Sequence, residues 1–333
     1  MSDLLFNSDY YSRRHNKRIE NYVRQVRKLY YVAIDDIIRL SSGIEVDQKK
    51  VFSFSDYPSI KEKANELFDA FAASLLGIAN KGTEYEWIKA CRECDAAINK
   101  IMKTSRIDKK RLEGYGSRNL KALEAFQKRK IDGLRLSDRV WNYTKQFRSE
   151  MELALDIGIG SGHSAAKMSQ DVRSYLNKPN MLFRRVRNKW GNLELSKAAK
   201  AYHPGQGVYR SSYKNAIRAT RNETNVAYKE SDSLRWQGLD FVVGFEVKLS
   251  NNHTLNGRPF YDICDKLKGK YPKSFKFSGW HICCRCYSVP ILMTPEELIE
   301  TNEMVLDGKD ISGFKSKNEV ESIPKHKIKL INK

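Results

Sequence analysis

The spacing of apolar residues sets the strongest limit on what this chain can fold into. Between Tyr10 and Leu40, the residues Ile19, Tyr22, Val26, Leu29, Ala33, Ile37 and Leu40 recur at steps of three and four. That is the period of an amphipathic helix. Ser8 is placed to cap its start, and Gly43 follows its end. The opposite face carries Arg13, Arg14, Lys17, Arg18, Arg24, Arg27 and Lys28, with Glu20 the only acid among them. Such a stripe suits DNA or an acidic protein surface, and a plain solvated face is the competing explanation.

The helical period continues after a break at SFSDYPS. Leu67, Ala70, Phe71, Leu75 and Ile78 form the apolar side of a second helix, and TEYEWIKACRECDAAINKIMK predicts a third, opened by Thr83 and Glu86 in a capping-box arrangement. Within it Cys91 and Cys94 sit beside Trp87 and Ala90. A redox or metal CxxC needs a second ligand pair or a βαβ setting, so two small core residues fit better. EGYGSRN reads as a turn. NLKALEAFQKRK and SDRVWNYTKQFRSEMELALDIG predict further helices, the latter with Val140, Tyr143, Phe147, Met151 and Leu155 on one side. GIGSGHS, residues 158–164, follows a helix rather than a strand and leads to no Gly-Lys-Ser/Thr, so it reads as a joint between helices and not a phosphate loop. The helix HSAAKMSQDVRSYLNKP stops at Pro179, HPGQG reads as a loop, and YKNAIRATRNETNVAYKESDSLRWQG predicts one more helix.

Beyond residue 240 the pattern changes. DFVVGFEVKLS, with Val242, Val243, Phe245, Val247 and Leu249, has the character of a buried strand. NNHTLNGRP reads as a turn, FYDICDKLKGKYP as a short ordered piece, and CRCYSVPIL as a final strand. In an extended chain Cys284 and Cys286 project from one face. The expected fold is mainly α with a small α+β C-terminal module, in which the helix bearing Arg221 and Glu223 packs on two or three strands.

Sixty Lys and Arg against forty Asp and Glu give the 333 residues a formal charge of +20, which favours an anionic partner. Hydrophobic residues make up 41% of the chain, enough for a packed core. No apolar run reaches membrane-spanning length, and the first residues lack the apolar stretch of a signal peptide. The expectation is a cytosolic product whose thiols stay reduced, where clustered Cys and His lean toward metal rather than disulfide.

The order RNETN, then a strand, then DICDKLKGKYP, then GWHICCRC resembles the phage Mu F-like head morphogenesis family, the minor head proteins of tailed phages and prophages. The resemblance covers roughly residues 158–292. It maps the family's Arg-Thr-Glu motif onto Arg221, Asn222 and Glu223, its inner Cys onto Cys264, and its terminal His-Pro-x-Cys-Arg-Cys onto His281, Cys284 and Cys286. Ile282 stands where the family has proline, and Tyr261 where it often has Cys. With the periodicity read above, the expected organisation is a helical region with a basic N-terminal helix over 1–157, a Mu F-like module over 158–294 and a tail with one short helix and a Lys-rich end over 295–333; the resemblance bears on the middle part only.

The resemblance implies a structural virion protein, not an enzyme. It would sit in the capsid interior or at the portal vertex and meet the portal protein, capsid or scaffold proteins, and packaged double-stranded DNA without sequence preference. It also brings Cys264, His281, Cys284 and Cys286 together as a set of one His and three Cys, the tetrahedral donor set of a structural zinc. Cys283 would point away, with His253 or Asp262 in reserve. Reduced cysteines packed in a core with His281 hydrogen-bonded nearby are the alternative. Arg221 and Glu223 sit at i and i+2 and read as polar tethers, Glu223 pairing with Arg285 or capping a loop and Arg221 holding a carboxylate such as Asp240. A rival reading takes Asp240, Glu246 and Lys248 as the Asp and Glu-x-Lys of a magnesium-dependent nuclease.

Overall fold

The computed structural model describes residues 6–331 apart from 46, 48–49, 106–110, 112–113, 180–184, 197–199, 201–207, 251–252 and 256–257. The expected HPGQG loop at 203–207 lies outside the described residues. The chain divides into two compact units that interleave in sequence: residues 21–81 with 128–221, and residues 1–20 with 82–127 and 222–333. This division follows neither the 157/158 boundary nor the 294/295 boundary drawn from the sequence.

The helical unit takes residues from α1 (Ser8–Leu40), α2 (Pro58–Ser105) and α6 (Ser212–Gln237), together with α4 (Leu136–Gly160), α5 (Ala165–Asn177) and a small hairpin of β1 (Arg185–Arg187) and β2 (Leu193–Leu195). The apolar stripes expected from periodicity meet in one core, where Val26, Tyr30, Ile34 and Ile37 pack with Phe68, Phe71, Leu75, Phe147 and Met151. Tyr30 lies at its centre, edge-on to Phe71, Phe147 and Tyr213 at 4.7, 4.8 and 5.2 Å. The joint at GIGSGHS is a helix end and a helix start. Gly162 turns at φ +65°, and the Ser164 side chain caps α5. Gly158 has a packing reason: a Cβ there would stand 2.4 Å from Met168.

One expected boundary is absent. α2 runs unbroken for 48 residues through Gly82 and Thr83. Gly in a helix interior costs about 1 kcal/mol, but both residues of the expected capping box are claimed elsewhere. Thr83 is buried and accepts a hydrogen bond from Gln127, while Glu86 pairs with His15 and Arg18. Cys91 and Cys94 are core residues, as expected, and burial pushes the Cys94 thiol up to about 12.

The sheet unit is built on three antiparallel strands in the order β6–β3–β7, where β3 is Val242–Lys248, β6 is Gly269–Tyr271 and β7 is Tyr287–Leu292. Phe245 stands opposite Tyr271 on one side and Pro290 on the other. Pro290 is tolerated because β7 is an edge strand. Trp236, Phe241, Phe245, Val247, Tyr271 and Phe277 form the core with Cys264, Cys284 and Cys286. A two-residue hairpin, β4 (Thr254–Leu255) with β5 (Arg258–Pro259), and the short helix α7 (Ile263–Leu267) connect β3 to β6. α3 (Leu120–Lys128) lends Leu123 and Phe126 to a satellite cluster around Trp87.

The tail is part of this unit. α8 (Pro295–Leu306) starts at Thr294 with a full capping box, and the Lys-rich end forms a second short helix, α9 (Lys325–Ile331), beyond the one expected. The Val320 amide bonds the Val243 carbonyl, and Lys327 reaches the Lys268 carbonyl at 2.5 Å. Gly244 is required here, since a Cβ would meet Val320 at 2.9 Å and the Tyr271 carbonyl at 3.0 Å.

Candidate metal centre

Three segments of the sheet unit converge on the thiols. Asp262 caps α7 by accepting the Cys264 amide at 2.7 Å, and Asp265 reciprocates by accepting the Asp262 amide at 3.0 Å. This capping box fixes Cys264 in the first turn. The GWHICCRC segment turns through Gly279 at φ +114°, where a Cβ would press on Cys284, and through Cys283 at φ +60°, a left-handed conformation uncommon for a side-chain-bearing residue.

Helix α6 holds that turn. Asn222 accepts the Cys283 amide at 3.0 Å, while Asn225 and Lys229 donate to the Cys284 carbonyl at 2.8 and 2.6 Å. The three lie at i, i+3 and i+7 along one helix face. Lys229 is buried, with its ammonium 5.1 Å from the centre of the Phe277 ring, and burial lowers its pKa against the pull of the neighbouring thiols.

Cys264 and Cys284 are buried, and their sulfurs are 3.8 Å apart. Their ligand atoms and one from His281 all lie within 4.8 Å of one another, so the trio can hold a metal ion. Cys286, also buried, is not in that set but is near enough to both thiols to influence their ionisation. The hydrogen bonds with Cys264 and then Cys286, helped by Lys229, pull the Cys284 thiol well below its ordinary value. Its partner Cys264 is pushed up. For Cys286 the bond with Cys264 favours the thiolate, but Cys284 and burial outweigh it and raise the pKa to about 12.

His281 is the exposed member. Its Nδ1 faces the Ile282 carbonyl at 2.9 Å and its Nε2 faces Asp262 at 3.7 Å. Donation from Nδ1 leaves Nε2 as the ligand atom. Cys283 lies outside the trio, and the reserve residues His253 and Asp262 fall with Asp265 in a separate group.

Several expected partners are different ones. Arg285 faces Glu20 at 3.5 Å, not Glu223, because Glu223 is buried whereas Arg285 is half-exposed. Asp240 is held by Arg111 at 2.9 Å and by the Tyr115 hydroxyl at 2.5 Å, not by Arg221. Of the basic stripe, Arg13, Arg14, Lys17, Arg24, Arg27 and Lys28 are exposed. Arg18 is not part of that face: it forks onto the buried Glu86 at 2.9 Å and lies 3.6 Å from Glu93. Arg13 pairs with Asp9, Arg14 bonds Tyr10, and Arg27 donates to Tyr213.

For the nuclease set, Glu246 and Lys248 share a face of β3, but Asp240 lies before the strand, and the four steps from Val242 to Glu246 alone span about 13 Å. Neither acid belongs to a metal-capable group among the described residues.

Asn222, Asn225 and Lys229 were not legible in the sequence as the clamp. Their helical spacing was visible, but their carbonyl and amide partners, 55 to 61 residues away, were not. Equally hidden was the buried His15, which sits between Glu86 at 2.7 Å and Asn225 at 3.3 Å and stacks on Tyr228. Comparison with known proteins returned no matching family model, no matching curated protein and no matching solved structure.

Proposed function

We propose that this chain is a structural minor head protein of a tailed phage or prophage, and that a zinc ion ties its sheet unit together. The observation that carries the reading is convergence. Asn222 and Asn225 from the RNETN segment, Cys264 from DICDKLKGKYP and Cys284 from GWHICCRC are far apart in sequence and meet at one point. Those are the pieces on which the Mu F-like resemblance rests.

The donor set fits zinc. Two thiolates on one tetrahedral zinc stand about 3.8 Å apart, given Zn–S bonds of roughly 2.3 Å, and the sulfurs of Cys264 and Cys284 are 3.8 Å apart. Cys264, Cys284 and His281 would hold the ion, and the buried Cys286 is the candidate fourth donor. When bound, the ion contributes cross-linking and folding energy rather than turnover. The residues around it are arranged for holding: three α6 side chains are spent on backbone groups of the turn.

In this reading the protein acts in head morphogenesis, DNA packaging or DNA delivery, with the portal protein and capsid or scaffold proteins as partners. The six exposed cations of the basic stripe offer a contact for packaged DNA or an acidic portal surface. No membrane partner is proposed; among the described residues no helix is long and apolar enough to cross a bilayer.

The experiment is mass spectrometry of purified particles from the phage or induced prophage encoding the chain, with co-purification against its portal protein. Presence in particles together with portal capture supports the reading, and absence from both overturns it. DNA contact is expected to weaken steeply with salt and to show little sequence preference. Magnesium-dependent plasmid cleavage abolished by Glu246→Ala would instead favour the nuclease reading.

A further inference from the structure

Beside the thiols, His253, Asp262 and Asp265 form a second cluster whose ligand atoms also lie within 4.8 Å of one another, with no sulfur among them. The Nε2 of His253 is 2.9 Å from Asp265 Oδ2 and 3.7 Å from Asp262 Oδ1. All three residues are half-buried. The imidazole stacks on Phe260 at 4.2 Å, which fixes its plane, and the α7 capping box fixes both carboxylates. Asp262 Oδ1 already accepts the Cys264 amide and Asp265 Oδ2 the Asp262 amide. The 2.9 Å contact between His253 and Asp265 is itself a hydrogen bond, so a cation would displace its proton and free Nε2 and one lone pair of Asp265 Oδ2 as donors, while the two amide bonds keep both carboxylates oriented.

A capping box calls for the two acids but for no imidazole. Asp262 also faces both ways. Its Oδ1 is 3.7 Å from His253 and its Oδ2 is 3.7 Å from Nε2 of His281, a member of the thiol centre. The two donor groups therefore adjoin through one carboxylate. An octahedral ion with oxygen ligands at roughly 2.1 Å places neighbouring donors about 3 Å apart. The His253–Asp265 separation of 2.9 Å already matches, and the His253–Asp262 separation of 3.7 Å needs only a small contraction.

We propose that His253, Asp262 and Asp265 form a second divalent-cation site, chemically distinct from the thiol centre, with Asp262 lying between the two. One imidazole and two carboxylates suit a harder ion such as Mn²⁺ better than the soft thiolate set does. Three protein donors leave coordination positions for water or an anionic ligand. The inference does not depend on zinc at the thiols.

The test is a Mn²⁺ titration of the full-length protein, followed by the electron paramagnetic resonance signal of unbound Mn²⁺. The metal content of the thiol centre is measured on the same samples. Wild type is expected to take up one Mn²⁺ per chain saturably. His253→Gln, which leaves the capping box intact, is expected to bind at least tenfold more weakly while keeping the thiol centre's metal and its circular dichroism spectrum. Asp265→Asn is expected to lose binding as well. The proposal is overturned by no saturable Mn²⁺ uptake in wild type or by a smaller decrease in His253→Gln. It is overturned equally if Mn²⁺ and the thiol-centre metal are lost together, which would make His253 a ligand of the first site.

Discussion

The helical unit closes on rings, with Tyr30 set among Phe71, Phe147 and Tyr213, whereas the sheet unit closes on three short strands, a knot of thiols and buried hydrogen bonds from α6. The difference lies in redundancy. An aromatic core spreads its stabilisation over many dispersion contacts, and no one of them has to be a particular chemical group. The three strands of the sheet unit's main sheet are three to seven residues long and bury little by themselves, so the unit relies on specific partners whose loss leaves a buried polar group unpaired. One unit should therefore be indifferent to chelators and the other sensitive to them.

The largest expected effect belongs to the helical unit. Phe147→Ala removes a fully buried ring and should cost about 3–5 kcal/mol in denaturant unfolding, by the same amount with or without chelator. A chelator-dependent loss would blur the contrast. In the sheet unit Glu86→Gln breaks a buried carboxylate between His15 and Arg18 and should cost roughly 3 kcal/mol.

That variant also carries a pH signature. Burial by itself would raise the pKa of Glu86, but bonds from His15 and Arg18 override it and hold the group below its ordinary 4.5. A depressed carboxylate contributes stability that is full above the unfolded value and is lost as pH falls through the folded one. Wild type should thus lose stability to acid below about pH 4.5 with a component that Glu86→Gln lacks, read from unfolding midpoints across that range. Next in size, Asn225→Ala should cost about 1–3 kcal/mol, because it strips the Cys284 carbonyl of one of its two side-chain donors. The smallest effect is expected for Arg285→Ala, at about 0–1 kcal/mol, since its pair with Glu20 is half-exposed.

The same contrast explains which parts of the fold are legible in the sequence. Val26, Ile37, Phe71, Phe147 and Met151 were legible because helical periodicity is local, and an apolar stripe has to be buried somewhere. Strand β3 and the buried pair Cys91 and Cys94 were legible for the same reason. The unbroken α2 was not. Gly82 and the Thr83–Glu86 pair are local stop-and-start signals, and tertiary partners in Gln127, His15 and Arg18 outcompete them. Arg18 was misplaced on the exposed face because its partner Glu86 is 68 residues away. In the candidate site, Cys284 and Cys286 lie two positions apart in the sequence, but the approach of Cys264 came from family resemblance alone. The roles of Asn222, Asn225 and Lys229 were hidden because each serves backbone atoms, which carry no sequence signal.

Elemental analysis of the full-length protein, purified without added metal, tests most directly whether the sheet unit is tied through Cys264, His281, Cys284 and Cys286. About one zinc per chain is expected in wild type, and none in a Cys264→Ser, Cys284→Ser double variant, with the loss confined to hydrogen-exchange protection in the sheet unit. Metal-free wild type that keeps the same protection around α7 and the 279–286 turn would contradict it.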